Sequence, residues 1–186
     1  MTNRLTTQKA EARRSQILSA AQWCFLNFGF AKTSFEDIAR RAGISRTLLY
    51  RVFKDKEDIY TAVFAQWLTA RHPAALAAAS GPGTVTERLL DVCRLMVLEP
   101  WSDMVGAPMA GEFFDVCERI DPEIDARHRR VVRECVATLL GSDDDAEVFV
   151  LALDGLLADE PAPDVLSHRV RILTLRFVET DRGGQR

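Results

Sequence analysis

The sequence carries none of the short motifs that announce enzyme chemistry: no Gly-rich phosphate loop, no H-E-x-x-H and no nucleophile elbow. Each of these supplies a phosphate cradle, a metal site or an activated nucleophile within a few residues, so their lack argues against catalysis, and no cofactor is expected. Histidine is scarce, with three residues and no neighbouring ligand set, and Cys24, Cys93, Cys117 and Cys135 show no C-x-x-C spacing. Each cysteine falls among apolar residues of a helical pattern, which suits a reducing compartment and gives no metal site in local sequence. Long apolar runs are missing too. The stretch Val148–Leu153 is far shorter than the roughly 20 residues that cross a bilayer, and charges interrupt the N-terminus before any apolar run. A soluble, cytoplasmic protein is expected. Nor does any stretch sustain a period-two alternation, so no sheet is expected.

Lysine is absent beyond residue 56: Lys9, Lys32, Lys54 and Lys56 are the only four. Residues 1–60 carry 11 Lys+Arg against 6 Asp+Glu, whereas residues 61–186 carry 13 against 21. The net charge of −3 therefore divides into a basic front and an acidic remainder. A basic front is where an electrostatic footprint for a phosphate backbone belongs, although a merely solvated basic surface has the same composition.

What is present is an all-α pattern. With 47% apolar residues in a chain of 186, a substantial core in one or two compact units is within reach. Proline, glycine and short caps divide the chain into about nine helices. The first runs from about Gln8 to Phe28, with Ile17, Ala21, Cys24, Phe25 and Phe28 on one stripe and Gly29 ending it. Ser34 and Asp37 form a capping box for a two-turn second helix, Gly43 supplies the sharp turn, and Ser45 caps a third helix from Arg46 to Phe53. This is the spacing of a helix-turn-helix. Asp55 caps a longer fourth helix passing Tyr60, Phe64 and Trp67 towards Pro73 or the Ala-rich stretch beyond, a plausible connecting rod. After Gly81-Pro82-Gly83, Thr84 and Glu87 open a fifth helix that stops at Glu99-Pro100, and a less regular sixth region reaches Arg119. The seventh helix extends from Asp121-Pro122 to Leu140, the eighth from Asp143 to Ala158, and the ninth from Pro163 to Val178. The expected division is a DNA-binding domain at 1–60, with its motif at about 34–53, a second helical domain at 61–180, and a flexible tail at 181–186.

In the third helix Ile44, Leu49 and Phe53 fall where they pack inward, leaving Arg46, Thr47, Tyr50 and Arg51 on the opposite face. A helix of this width fits a major groove, where Arg bonds guanine bidentately and Thr meets a base edge or a thymine methyl. Arg46, Thr47 and Arg51 are the candidate base readers. The first turn is the end a recognition helix usually presents to bases, and Tyr50 is placed to reach a phosphate.

The run Thr33-Ser34-Phe35-Glu36-Asp37-Ile38-Ala39, then Ala42-Gly43-Ile44-Ser45-Arg46, Leu49-Tyr50 and Phe53-Lys54-Asp55-Lys56-Glu57 resembles the N-terminal domain of the tetracycline-repressor (TetR) family. The resemblance spans about Arg13 to Phe64. It implies phosphate contacts from Tyr50, from Lys56 at the start of helix four, and from the hydroxyl capping helix two, either Thr33 or Ser34; Ser45 joins them as the cap of the reader. Departures matter equally. Thr47 stands where the family usually has Gly or Ala, Leu48 where a small or hydroxyl residue is common, and Arg51-Val52 where His and an aromatic are frequent, so no operator sequence carries over. Arg4, Lys9, Arg13 and Arg14 either extend into an adjacent minor groove or form a solvated surface.

The resemblance further implies that the remainder binds a small-molecule effector and forms a homodimer on a near-palindromic, double-stranded operator, acting as a repressor that the effector releases. Helices eight and nine are apolar on more than one face, and Phe149, Ala152, Leu153 and Leu156 with Val170, Leu173 and Phe177 are the candidate dimer interface. The alternative is two helices deeply buried within one protomer. Phe64, Trp67, Met96 and Trp101, followed by Met104, Met109, Phe113 and Phe114, are suited either to an adaptable apolar cavity or to ordinary core. His128 shares a stripe with Ile124, Val131 and Cys135, and is either a polar anchor in that cavity or a satisfied core histidine. Two other functions stay open. In one, Cys93, Cys117, Cys135, His72 and His128 converge as a redox or metal sensor. In the other, the chain is a helical adaptor that binds no DNA.

Overall fold

Punctuation in the sequence sets most helix boundaries of the fold. The computed structural model describes the backbone of residues 2–183 and the side chains of residues 8–179 apart from 114, 117 and 118. The side chains of Arg4, Phe114 and Cys117 lie outside the described residues. Every regular element among the described residues is helical: α1 (Thr2–Phe28), α2 (Phe35–Arg41), α3 (Arg46–Val52), α4 (Lys56–Thr69), α5 (His72–Ser80), α6 (Val85–Cys93), a π-helical turn (Arg94–Leu98), α7 (Glu99–Met104), α8 (Ala110–Ile120), α9 (Pro122–Leu140), α10 (Asp143–Gly155) and α11 (Pro163–Gly183). The capping boxes Ser34/Asp37 and Thr84/Glu87 both form, satisfying orphan N–H groups at the starts of α2 and α6. The expected fourth helix is two, α4 ending at Thr69 and α5 restarting with Pro73 in its first turn, where a missing N–H costs nothing. The tail expected from residue 181 is helical as far as Gly183.

Two compact units emerge, and compactness divides the chain differently from the boundary expected at residue 60. One unit comprises the described residues of Met1–Trp67 and Gly106–Ile124; the other comprises those of Leu68–Val105 and Asp125–Arg186. The first is built around Ile17, Phe25, Ile38, Leu49, Ile59 and Tyr60, each at most 1% exposed. Phe28, expected on the inner stripe of α1, is 44% exposed and meets the edge of Trp23 at 5.3 Å. In the second unit, Leu89, Val92 and Met96 pack with Cys135, Val136, Phe149, Leu166 and Val170 in one apolar core.

Glu99-Pro100, expected to stop the fifth helix, does not end it. The chain passes through the π turn, where the Glu99 N–H donates to the Arg94 carbonyl five residues back, and continues into α7. Pro100 has no N–H to give the carbonyl four residues earlier, that of Met96. His128 from α9 supplies the donor, its Nε2 lying 3.2 Å from Met96 O. Its Nδ1 then accepts from His72 Nε2 at 3.1 Å, so His128 is a satisfied core histidine that repairs a proline-made gap.

Burial and the neighbouring His72 ring hold the His128 imidazole at a pKa of about 4, below the ordinary 6.5. Between those values the unfolded chain binds a proton that the folded chain refuses, so stability falls as pH drops from about 6.5 towards 4. The full loss is on the order of 3 kcal/mol. His128→Gln keeps a donor for Met96 without titrating; the midpoint of thermal unfolding should therefore depend less steeply on pH between 7 and 5, roughly, in this variant than in the unsubstituted protein.

Candidate functional site

The candidate reader is built on a glycine-directed turn and two serine caps. Gly43, at φ +64°, turns the chain between α2 and α3, a conformation an L side chain rarely adopts. Ser45 then caps α3, its side chain accepting from the Leu48 N–H at 3.2 Å. Leu49 (0% exposed) and Phe53 (2%) anchor α3 to the core, and the Arg14 guanidinium covers the Phe53 ring at 4.7 Å. Arg46, Thr47, Tyr50 and Arg51 are left exposed together, as the periodicity predicts.

Tyr50 does not project freely. Its ring stacks on Phe35 at 4.5 Å with planes 22° apart, and its hydroxyl accepts from Arg46 Nη2 at 3.2 Å. Phe35 was not singled out in the sequence reading, yet it fixes the direction of the tyrosine. The apolar position at the start of α2 was its only signal.

The two hydroxyls offered as the cap of α2 separate cleanly. Ser34 is exposed and caps the helix, accepting from Asp37 N at 3.2 Å and donating to Asp37 Oδ2 at 2.6 Å. Thr33 is 2% exposed and donates inward, to Gly29 O at 2.7 Å and Cys24 O at 3.2 Å, so it has no hydroxyl to offer a phosphate. Lys56 begins α4. Its ammonium donates to Phe30 O at 2.7 Å and, more weakly, to Ala31 O at 3.4 Å, and lies 4.4 Å from the centre of the Phe30 ring. The basic N-terminus is no extended arm: α1 is helical from Thr2, and a helix is too wide for a minor groove about 6 Å across.

The residues proposed for an effector cavity divide between the two units. Phe64, Trp67 and Phe113 are at most 7% exposed and belong to the packed aromatic interior of the first unit, with Tyr60 at ring separations of 5.2 to 5.9 Å among Phe64, Trp67, Phe113 and Tyr60. Met109, also in that unit, donates its backbone N–H to Leu26 O at 3.0 Å. Met96, Met104 and His128 are buried in the second unit, and Trp101 is half-buried there, its indole N–H donating to Pro161 O at 2.8 Å. The second unit also bears a cleft of about 390 Å³ lined by Arg71, Arg94, Glu99, Ser102, Asp103 and Ser167 among others, in which Arg71 pairs with Glu99 and Asp103, and Arg94 with Glu99.

Three of the candidate dimer contacts need correcting. Phe149, Leu153 and Val170 are at most 2% exposed and form the core of their unit, while Ala152, Leu156, Leu173 and Phe177 are half-buried. The outward faces carry different residues: Val148 (56% exposed) and Leu151 (60%) on α10, Val165, Ile172 (47%) and Leu175 on α11. Both helices are apolar on two faces, and periodicity identifies the faces without saying which one the core takes.

Of the residues offered for a thiol or metal sensor, the Cys117 side chain lies outside the described residues. Cys24, Cys93 and Cys135 are buried, and burial pushes the Cys93 and Cys135 thiols up to about 12 and about 11, leaving them protonated and unreactive. His72 and His128 do meet, but among the described residues no three His, Cys, Asp or Glu side chains cluster as a metal site. Among those residues no helix is long and apolar enough to cross a membrane.

Residues 17–63 match the family model of bacterial regulatory proteins of the tetR family. Over 62 residues the chain is 44% identical to the HTH-type transcriptional regulator RutR of Escherichia coli, covering 33% of this chain and 29% of that protein. It is 37% identical over 60 residues to the HTH-type transcriptional regulator TtgR of Pseudomonas putida, covering 32% and 29%. The chain thus spans under a third of the length of the curated relatives it matches. A TetR-family transcriptional regulator of Mesorhizobium loti superposes with a TM-score of 0.69 at 16% identity, covering 91% of this chain and 96% of that one. A TetR-like regulator of a Rhodococcus species gives 0.65 at 24% identity, covering 90% and 96%. At these identities the structural likeness establishes the all-helical fold.

Gly43 has no neighbour that an added Cβ would strike, so Gly43→Ala isolates the cost of its backbone conformation. The substitution should lower the stability of the reader by about 1 kcal/mol, measured as a shift in the urea midpoint at unchanged slope.

Proposed function

We propose that this chain, which belongs through its N-terminal domain to the tetR family of bacterial regulatory proteins, is a sequence-specific DNA-binding transcriptional regulator that works as a homodimer. The observation that carries the reading is the exposed hydrogen-bonding face of α3, held outward by the burial of Leu49 and Phe53. Arg46, Thr47 and Arg51 read bases in the major groove. Ser34, Ser45, Tyr50 and Lys56 hold phosphates, Lys56 using a donor beyond those it gives to the Phe30 and Ala31 carbonyls. In functional terms residues 1–60 are the reader, and residues 61–180 carry dimerisation and effector binding. Two readers occupy successive major grooves about 34–36 Å apart on a near-palindromic operator. Binding represses transcription, and a small-molecule effector releases it; this part rests on the family resemblance, within which a relative 40% identical over 53 residues is named a transcriptional activator.

The interface between copies is the outward stripe of Val148, Leu151, Ile172 and Leu175. A row of exposed apolar residues on two neighbouring helices is what a second copy would cover, and exposed Gly155 on α10 permits close approach. Leu151→Glu combined with Ile172→Glu should convert a dimer to a monomer in light scattering while leaving the helical circular-dichroism spectrum intact. A dimer that survives the double substitution rules this stripe out.

The function itself is tested by selecting genomic fragments with the purified protein over a range of salt concentrations. A palindromic motif is expected. Lys56→Ala should weaken binding uniformly across sequences and lower the salt slope by about one, whereas Arg46→Ala should relax preference at one position of each half-site. Failure to enrich any fragment at low salt defeats the regulator reading and favours a protein-binding adaptor.

A further inference from the structure

Helix α8 lies far from the helix-turn-helix in sequence, yet it shares a compact unit with it. Its contacts converge on the turn between α1 and α2. Glu112 Oε1 accepts from the Phe30 N–H at 3.0 Å, and the Met109 N–H, just ahead of α8, donates to Leu26 O at 3.0 Å. The Tyr60 hydroxyl of α4 donates to Phe113 O. Gly29 makes the approach feasible: at φ +80° it bends the chain, and a Cβ there would stand 2.5 Å from Glu112 Oε2 and 2.9 Å from Met109 Cε.

Phe30 is consequently gripped from both sides, its N–H by Glu112 and its carbonyl by Lys56 at 2.7 Å. A carboxylate accepting a backbone N–H is among the stronger hydrogen bonds. The turn it fixes leads through Thr33, itself bonded back to Gly29 O, to Ser34, the cap of α2. The two groups proposed to hold phosphates at this corner, Lys56 and Ser34, therefore take their positions from a turn that α8 pins.

We infer that Glu112 is a positioning residue for DNA binding: by holding the Phe30 N–H it sets the α1–α2 turn and, through the Phe30 carbonyl, the Lys56 ammonium. The segment of this unit that contains α8 runs from Gly106 to Ile124. Loss of the Glu112 contact thus loosens the phosphate clamp without any change in α3. This inference rests on the phosphate role proposed for Lys56.

The test compares Glu112→Gln with Glu112→Ala in the full-length chain, using a labelled duplex that spans two successive major grooves. Both remove the same negative charge, but Gln keeps an oxygen to accept from Phe30, so the difference between them reports the hydrogen bond rather than the charge. Binding by Glu112→Ala should be about tenfold weaker than by Glu112→Gln, with a salt slope lower by about one. In combination with Lys56→Ala, the Glu112→Ala substitution should cost little further, because both act on one contact. Exchange of the Phe30 amide, measured by NMR, should accelerate in Glu112→Ala and stay slow in Glu112→Gln, which checks the geometry even where stability drops. Equal affinities and slopes for the Gln and Ala variants, or a Glu112→Ala loss that adds in full to that of Lys56→Ala, would overturn the inference while leaving the Lys56 reading intact. If Lys56→Ala alone alters neither affinity nor slope, the phosphate role of Lys56 fails and this inference falls with it.

Discussion

A seven-residue helix is not stable by itself in water, because the cost of nucleating the first turn is repaid only over many more residues. The recognition helix α3 has seven residues, and it exists because Leu49 and Phe53 are driven into a core made by its neighbours. The whole exposed face of α3 follows from this one burial. It fixes which way the helix rolls, and so which of its residues remain outside; it requires α1 and α2 to be present beneath; and it leaves the start of α3 to Gly43 and Ser45, which handle chain direction and backbone groups. Arg46 and Tyr50 then organise one another, with Phe35 beneath the tyrosine ring. The exposed face is thereby partly ordered beforehand, which reduces the entropy that any binding partner would make it lose.

How much of this was legible in the sequence depends on the range of the interaction. Caps act over three residues, so Ser34/Asp37, Ser45 and Thr84/Glu87 were readable and all form. The inward set of α3 follows from helical periodicity and was equally readable. Periodicity fails where a helix is apolar on two faces, and for that reason Phe149, Leu153 and Val170 were assigned to the outside of the second unit when they constitute its interior. The aromatic and methionine residues suited a cavity and an ordinary core alike, because composition cannot distinguish a lined space from a filled one. Thr33 and Ser34 were indistinguishable as hydroxyl neighbours until the turn geometry sent one inward.

The proline in the fifth helix illustrates a different limit. Read locally, Pro100 is a stop signal, because it withdraws a donor and crowds the preceding turn. The helix persists because a residue 32 positions away, His128, replaces the lost donor to Met96. No local rule finds such a repair, just as none finds Glu112 against Phe30 at a separation of 82 residues.

That the reader's compact unit is discontinuous in sequence bears on how such proteins can be recombined. The family resemblance ends near residue 63, which invites treating the front of the chain as a cassette to be joined to any sensing domain. The interior of this unit, however, includes Phe113, and its α1–α2 turn is closed by Met109 and Glu112. A chimaera cut at the end of α4 would expose Tyr60 and Phe64 and leave the turn unclosed unless the incoming domain happened to bring an equivalent segment. The portable module is the front of the chain together with this returning helix, and a hybrid keeps the α1–α2 turn intact only to the degree that its new partner rebuilds that surface.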